Sequence, residues 1–219
     1  NKYVHTLKRN TGKLSNMVNE LLEIHRMDVY TPQLKANYIS VNSYVQSIYN
    51  EFKEWANQVA ITLELTLPEQ EVKLWLDEKY FSKILSNILS NAIKYSNANS
   101  TIKLSVSVGN LNEVTPLYKN TFENTTRTLA GKQLIVKVED EGVGLEKESL
   151  PEIFERFHRV EGQGQKRVGS GIGLSLVKSL VEAHRGGIII SSKLNVGTEV
   201  IITFPMDDSY LLPEQKLQD

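Results

Sequence analysis

Two glycine-rich stretches constrain this chain more than any other feature. The first is Asp140-Glu141-Gly142-Val143-Gly144-Leu145 and the second is Gly169-Ser170-Gly171-Ile172-Gly173-Leu174. Between them lies an aromatic segment, Ile153-Phe154-Glu155-Arg156-Phe157-His158-Arg159. Glycine costs backbone entropy, so alternating glycines mark places where the backbone bends tightly or lets something approach closely. The ligand that calls for such an approach is a nucleotide phosphate. The second stretch runs into a helical pattern at Ser175, Leu176 and Val177, and the free N–H groups of a helix N-terminus favour phosphate. Its spacing differs from G-x-G-x-x-G and from G-x-x-x-x-G-K-[ST]. Alone, a G-x-G-x-G run is a weak signal that an ordinary turn also satisfies.

The rest of the chain reads as helices alternating with strands. Residues 3–28 repeat helically, with Leu7, Leu14 and Leu21 seven apart and Thr11, Val18 and His25 filling the seam. This helix has one apolar stripe and needs a partner helix to cover it. Pro32 marks a break, and residues 41–57 form a second amphipathic helix. Ile61–Leu67 alternates as a strand, with a shorter strand at Val72–Leu76. A third helix spans 78–96, with Phe81, Ile84, Leu85, Ile88, Leu89, Ala92 and Ile93 facing inward. Strands are expected at 101–108, 133–139, 188–193 and 199–204, and a helix at Ser175–His184. The polar, Asn- and Thr-rich stretch 109–132 reads as a long loop or excursion hairpin, and 207–219 as a polar tail or linker. The element order predicts an α+β fold, a sheet with helices on one face.

Composition removes several classes of function. The formal charge of -1, with basic residues scattered, gives no sign of a nucleic-acid or acidic-membrane partner. Zero cysteines exclude disulfides, thiolate metal sites and cysteine nucleophiles. No apolar run approaches the ~18 residues of a membrane span, and no signal peptide is visible. Asn1 falls inside a helical pattern, so the sequence reads as a segment of something longer.

On the third helix, Asn87, Asn91 and Lys94 form a stripe at i, i+4 and i+7. Two mid-helix asparagines cost roughly half a kcal/mol each relative to alanine. One reading is a solvated face. The other is that the amide oxygens hold Mg²⁺ while Lys94 meets phosphate, since Mg²⁺ takes oxygen ligands and keeps phosphate oxygens in its shell. Asp140 also has two readings. It is an ordinary turn-initiating aspartate, or its carboxylate accepts a hydrogen bond from the exocyclic amine of adenine, where guanine presents a carbonyl. The stretch 161–168, with Gly162, Gly164, Lys166 and Arg167, has the composition of a flexible basic lid.

Taken together, these segments resemble the sensor histidine kinases of two-component systems. Asn87-Ile-Leu-Ser-Asn91-Ala-Ile-Lys94-Tyr95-Ser96 resembles that family's asparagine box. Asp140–Leu145 and Gly169–Leu174 resemble its two glycine boxes, Phe154–Phe157 its phenylalanine box, and Gly197-Thr198 its final glycine-threonine element. Five elements stand in order across about residues 78–205. Residues 3–28, especially Lys13–Leu22, are similar to the second helix of the family's dimerisation hairpin, and the polar tail suits the hybrid type with a receiver domain further on. The resemblance implies a Bergerat-type two-layer sandwich with a mixed, mainly antiparallel sheet. The implied domains are a partial hairpin helix at 1–30, an ATP-binding catalytic domain at 31–206 and a tail at 207–219. It also implies ATP and Mg²⁺ as ligands. Asn91 would be the chief Mg²⁺ ligand, with Asn87 beside it. Lys94, Tyr95 and Arg159 would approach the phosphates. Asp140 would hold the adenine amine, with Thr198 supporting it through water. Gly142 and Gly144 would shape the adenine pocket, and Gly169, Gly171, Gly173 and Leu174 would form the lid end. Expected partners are a phosphoacceptor helix, a receiver domain and a second copy of the chain. The expected location is the cytoplasmic side of a membrane sensor.

The family's phosphoacceptor histidine is followed by an acidic residue and, shortly after, a proline. None of His5, His25, His158 and His184 has that setting. The chain is therefore expected to hold a phosphoryl donor without its acceptor, and not to autophosphorylate alone. Other Bergerat ATPases carry a glutamate one helical turn before the Mg²⁺ asparagine as water-activating base. Asn87 stands there and cannot act as a base. A serine kinase of the antisigma type and a degenerate module used only for docking are the remaining readings.

Overall fold

A computed structural model describes Thr11, Val18 and residues 33–125, 131–158 and 171–217. The heptad-patterned helix expected over 3–28 lies outside the described residues, apart from Thr11 and Val18, both of which are helical.

From residue 37 the order is β1 (Asn37–Ser40), α1 (Val41–Gln58), β2 (Thr62–Thr66), β3 (Lys73–Leu76), α2 (Glu78–Tyr95), β4 (Thr101–Asn110), β5 (Asn120–Thr125), β6 (Lys132–Asp140), α3 (Gly173–Ala183), β7 (Gly187–Lys193) and β8 (Gly197–Pro205). The six-stranded sheet runs β2-β4-β6-β8-β7-β5, and β1 pairs with β3 in a small antiparallel sheet. Only β2 and β4 run parallel in the large sheet; the other neighbours are antiparallel. The α+β sandwich with a mixed, mainly antiparallel sheet is as the sequence predicts.

Local chemistry fixes the helices. Ser40 caps α1 by accepting from the Ser43 N–H, and Asp77 caps α2 by accepting from the Tyr80 N–H. Val41, Val45, Ile48, Phe52 and Ala56 of α1 are buried, as is the whole predicted apolar face of α2. Strand alternation places Leu134, Val136 and Val138 of β6 and Val200, Ile202 and Phe204 of β8 in the core beneath the helices.

Two expectations are corrected. The stretch 109–132 is not simply a loop. After a 3₁₀ turn at Leu111–Glu113 it supplies β5, which pairs with β7 from Asn120↔Ser192 to Thr125↔Gly187 and becomes the sheet edge. On the way, Leu111 and Val114 pack over Ile135, Ile189 and Ile201, which point away from the helices. The insertion thus covers apolar surface that a single helical layer leaves bare. The stretch 207–217 is not a free tail. Leu211 is buried with Leu34 and Ala36, and Ala36 bridges Lys216 in parallel. Its mostly polar composition hides the few apolar contacts that anchor it.

Candidate nucleotide-binding site

The C-terminal end of α2 meets the first glycine stretch directly. The Val143 N–H donates to the Tyr95 carbonyl at 3.1 Å, and Ser96 and Gly142 form an antiparallel bridge. A Cβ at Gly142 would lie 2.5 Å from the Tyr95 carbonyl oxygen and 2.6 Å from Asp140 Oδ1. No side chain fits, so this glycine is required by close approach. Gly144, at φ +63°, is pressed against the Lys193 carbonyl and has no room for a Cβ. The helix carrying the asparagine stripe is therefore stitched to the end of β6.

Asp140 closes β6, paired in register with Thr198 of β8. Its Oδ1 accepts from the Gly142 N–H at 2.9 Å, and the Thr198 backbone N–H also bonds to it. Burial nonetheless pushes its carboxyl up to about 7, because desolvation outweighs the two donors. A carboxylate short of water gains from a ligand that brings its own N–H donor.

Behind it lies a polar cluster that the motif reading does not identify. Ser192 is fully buried; its hydroxyl donates to the Gly197 carbonyl at 2.8 Å, accepts from the Leu145 N–H at 2.8 Å and lies 3.0 Å from Thr198 Oγ1. A serine hydroxyl has one proton, and here Gly197 takes it. Thr198 must then donate to Ser192, which leaves the threonine oxygen as an acceptor. The sequence signal was present: two serines, 191 and 192, interrupt a buried run that is otherwise isoleucine.

The second glycine stretch meets the helix about two turns lower, at Asn87. Asn87 Nδ2 donates to the Lys83 carbonyl at 2.9 Å, which turns its Oδ1 toward Gly173; a Cβ there would lie 2.6 Å from that oxygen. Helix α3 begins at Gly173 with no side-chain cap, and Leu174 is half-buried in its first turn. A helix N-terminus favours an anionic ligand. Gly171, at φ +71°, accepts through its carbonyl from the Phe157 N–H at 2.9 Å, joining the aromatic segment to this stretch. Phe154 is buried and stacks on Phe122 of β5 at 5.0 Å between centroids.

Asn91, Lys94 and Tyr95 are half-buried on α2 between these two glycine stretches. Among the described residues, no cluster of three or more His, Asp or Glu could hold a metal. A divalent cation here would depend on the amide oxygens of Asn87 and Asn91 together with the ligand's own phosphates. Arg159, Gly169 and the whole basic stretch 161–168 lie outside the described residues.

The two described histidines have structural partners. His158 Nε2 lies 3.1 Å from Glu152 Oε2. His184 is fully buried: its Nε2 accepts from the Asp77 N–H at 3.3 Å, and its Nδ1 donates to the Leu180 carbonyl at 2.8 Å. Burial pushes its pKa down, keeping the ring neutral in this tautomer.

Residues 76–208 match the family described as histidine kinase-, DNA gyrase B-, and HSP90-like ATPase. The chain is 26% identical to the sensor histidine kinase WalK of Bacillus subtilis over 205 residues, covering 93% of this chain and 30% of that protein. It is likewise 26% identical to the sensor protein kinase WalK of Staphylococcus epidermidis, covering 94% of this chain and 30% of that protein. The chain thus spans about a third of the length of these relatives. Its fold is similar to full-length ShkA in complex with AMPPNP, at a TM-score of 0.74 and 21% identity, covering 96% of this chain and 40% of ShkA. It is also similar to the Acinetobacter baumannii histidine kinase AdeS, at a TM-score of 0.67 and 21% identity, covering 93% of this chain and 83% of AdeS. With the family profile spanning most of the chain, and with the half-buried Asp140 and the glycine turns lying within it, this protein belongs to the histidine kinase-, DNA gyrase B- and HSP90-like ATPase family.

Proposed function

We propose that this chain is the ATP-binding catalytic domain of a sensor histidine kinase. It binds Mg²⁺-ATP and donates the γ-phosphoryl group to a histidine on a dimerisation helix. A receiver-domain aspartate takes the group onward. The P–O bond to ADP breaks, a P–N bond to imidazole forms, and ADP leaves. The observation that carries the reading is Asp140, a half-buried carboxylate at the end of β6 whose pKa burial pushes up to about 7, with Thr198 and the Gly142 turn around it.

In this reading Asp140 selects adenine by accepting from its exocyclic amine, and Thr198 supports it from the Ser192 side. Gly142 and Gly144 keep the turn thin enough for the base to enter. Asn91 and Asn87 present neutral oxygens, which hold a cation without repelling a triphosphate. Lys94, Tyr95 and Arg159 neutralise phosphate charge, and Gly169, Gly171, Gly173 and Leu174 bring the α3 N-terminus to the phosphates. Mg²⁺, when bound, spreads the charge that builds on the phosphate oxygens. Phosphoryl transfer needs mainly such positioning and charge stabilisation. Asn87 stands where a hydrolytic relative would need a base, which favours transfer to a histidine over ATP hydrolysis.

The acceptor is proposed to lie on another helix of the same or a second protomer, in a homodimer on the cytoplasmic face of a membrane sensor. Among the described residues no helix is long and apolar enough to cross a membrane. The test is γ-labelled ATP with a separately made helical hairpin bearing a histidine, an acidic neighbour and a nearby proline. Acid-labile label should reach the hairpin and not this chain. Label on this chain alone, or nucleotide hydrolysis without transfer, would refute the assignment.

A further inference from the structure

The C-terminal segment Asp208–Leu217 lies beside residues 34–36, which lead into β1, and against β3, the start of α2 and the end of α3. The Ala36 N–H donates to the Gln215 carbonyl at 2.7 Å, and the Leu217 N–H donates to the Ala36 carbonyl at 2.9 Å. The two rungs flank one residue, and they join stretches about 180 positions apart in sequence. Beneath them Leu34, Ala36 and Leu211 form a small buried cluster of their own, separate from the main core and flanked by Trp75, Tyr80, Ala183 and Tyr210. Tyr210 Oη donates to the Trp75 carbonyl at 3.1 Å, and Lys216 Nζ pairs with Asp208 Oδ2 at 2.6 Å while lying over the Trp75 ring.

On its other side, the entry segment runs straight into β1, whose Asn37 pairs with Leu76 of β3. The Lys35 N–H donates to Asp77 Oδ2 at 2.9 Å, and Asn37 Nδ2 donates to Glu78 Oε1 at 2.7 Å. A satellite cluster of three buried side chains, closed by exposed or half-exposed polar contacts, is the kind of unit that opens without the core. It is also remote from the candidate site. Tyr80 and Tyr95 are fifteen residues apart on α2, about 22 Å along the axis.

We propose that Asp208–Leu217 is a strap that clamps residues 34–36 and can release them independently of the core. A partner that draws off Asp208–Leu217 would thereby free residues 34–36, a route by which a signal at this segment reaches the stretch that leads into β1. The strap stands on its own contacts; only its use in signalling rests on the kinase reading.

Native-state hydrogen exchange on the whole chain tests it. The Ala36 and Leu217 amides should exchange together, at least tenfold faster than the amides of β4 and β6. Leu211→Asp should speed both by tenfold or more, leaving the Val143 amide and the Mg²⁺-ATP dissociation constant within twofold. If Leu211→Asp unfolds the chain, the milder double variant Tyr210→Phe/Lys216→Ala decides, with at least a threefold joint acceleration expected. An Ala36 amide that stays protected when the Leu217 amide is released would overturn the proposal. So would strap amides that open only with the core. Failure of either form to bind ATP would count against the kinase reading, while the exchange rates would still decide for or against the strap.

Discussion

At the scale of single residues, Asp140 sets the strongest expectations. Burial pushes its carboxyl up from the ordinary 3.8 to about 7. A raised acid pKa means that the folded state holds the proton more tightly than the unfolded chain does. The stabilisation is present below pH ~4 and is lost as pH rises through about 7. Asp140→Asn should therefore raise unfolding stability at pH 8 by about 1 kcal/mol or more, read by denaturant titration, while weakening ATP binding at least tenfold. Unchanged stability at pH 8 would show that the carboxyl is not starved of water. If adenine binds the ionised form, ATP affinity should also climb as pH rises from 6 to 8. His184 acts in the opposite sense. Its lowered pKa gives stability that is present above about 6.5 and is lost as pH falls. A His184→Phe variant should lose that acid-side slope. It should also fall by about 2 kcal/mol, because the Asp77 N–H and Leu180 carbonyl lose their partner. Gly142→Ala should cost at least tenfold in ATP affinity, since its Cβ would press into the Tyr95 carbonyl and the Asp140 carboxylate together.

At the scale of elements, the sequence was legible wherever one face was apolar. Helix α2 shows its buried face at i, i+3, i+4 and i+7 and β4 alternates, so their existence follows from periodicity; β6 and β8 read as apolar runs, and the three strands extend one or two residues past the bounds the sequence suggests. Strand β5 was not legible. Asn-Thr-Phe-Glu-Asn-Thr has one large apolar residue, because an edge strand buries little and its place is set by pairing with β7. Phe122 is that residue, and it stacks on Phe154 of the aromatic segment. Phe122→Ala should cost about 1–2 kcal/mol, read by thermal or denaturant unfolding. It should also raise hydrogen exchange around residues 152–157. If exchange there is unchanged, β5 does not support the aromatic segment. The glycine stretches were legible as motifs because their spacing is local. The Ser192 network behind Thr198 was only hinted at by serines in a buried strand, because it joins the β7–β8 hairpin to Leu145, which only the folded sheet brings together. The same holds for His184 and Asp77, 107 positions apart.

For the whole molecule, one helix carries the account. Its N-terminus is capped by Asp77 and latched by His184. Its middle turns Asn87 toward the start of α3, and its last turn is stitched to the Asp140 turn. Residues from the two glycine stretches thereby face one helix, although Gly173 comes 28 positions after Leu145 in the sequence. The central claim is an adenine-selective Mg²⁺-nucleotide pocket built on that helix. Calorimetric titration with ATP and GTP, with and without Mg²⁺, on the chain and on Asp140→Ala and Asn91→Ala tests it most directly. The account predicts that ATP binds in the presence of Mg²⁺ at least a hundredfold tighter than GTP. Asp140→Ala should abolish the preference for ATP, and Asn91→Ala the dependence on Mg²⁺. Equal binding of ATP and GTP, or ATP binding untouched by Asp140→Ala, would contradict it.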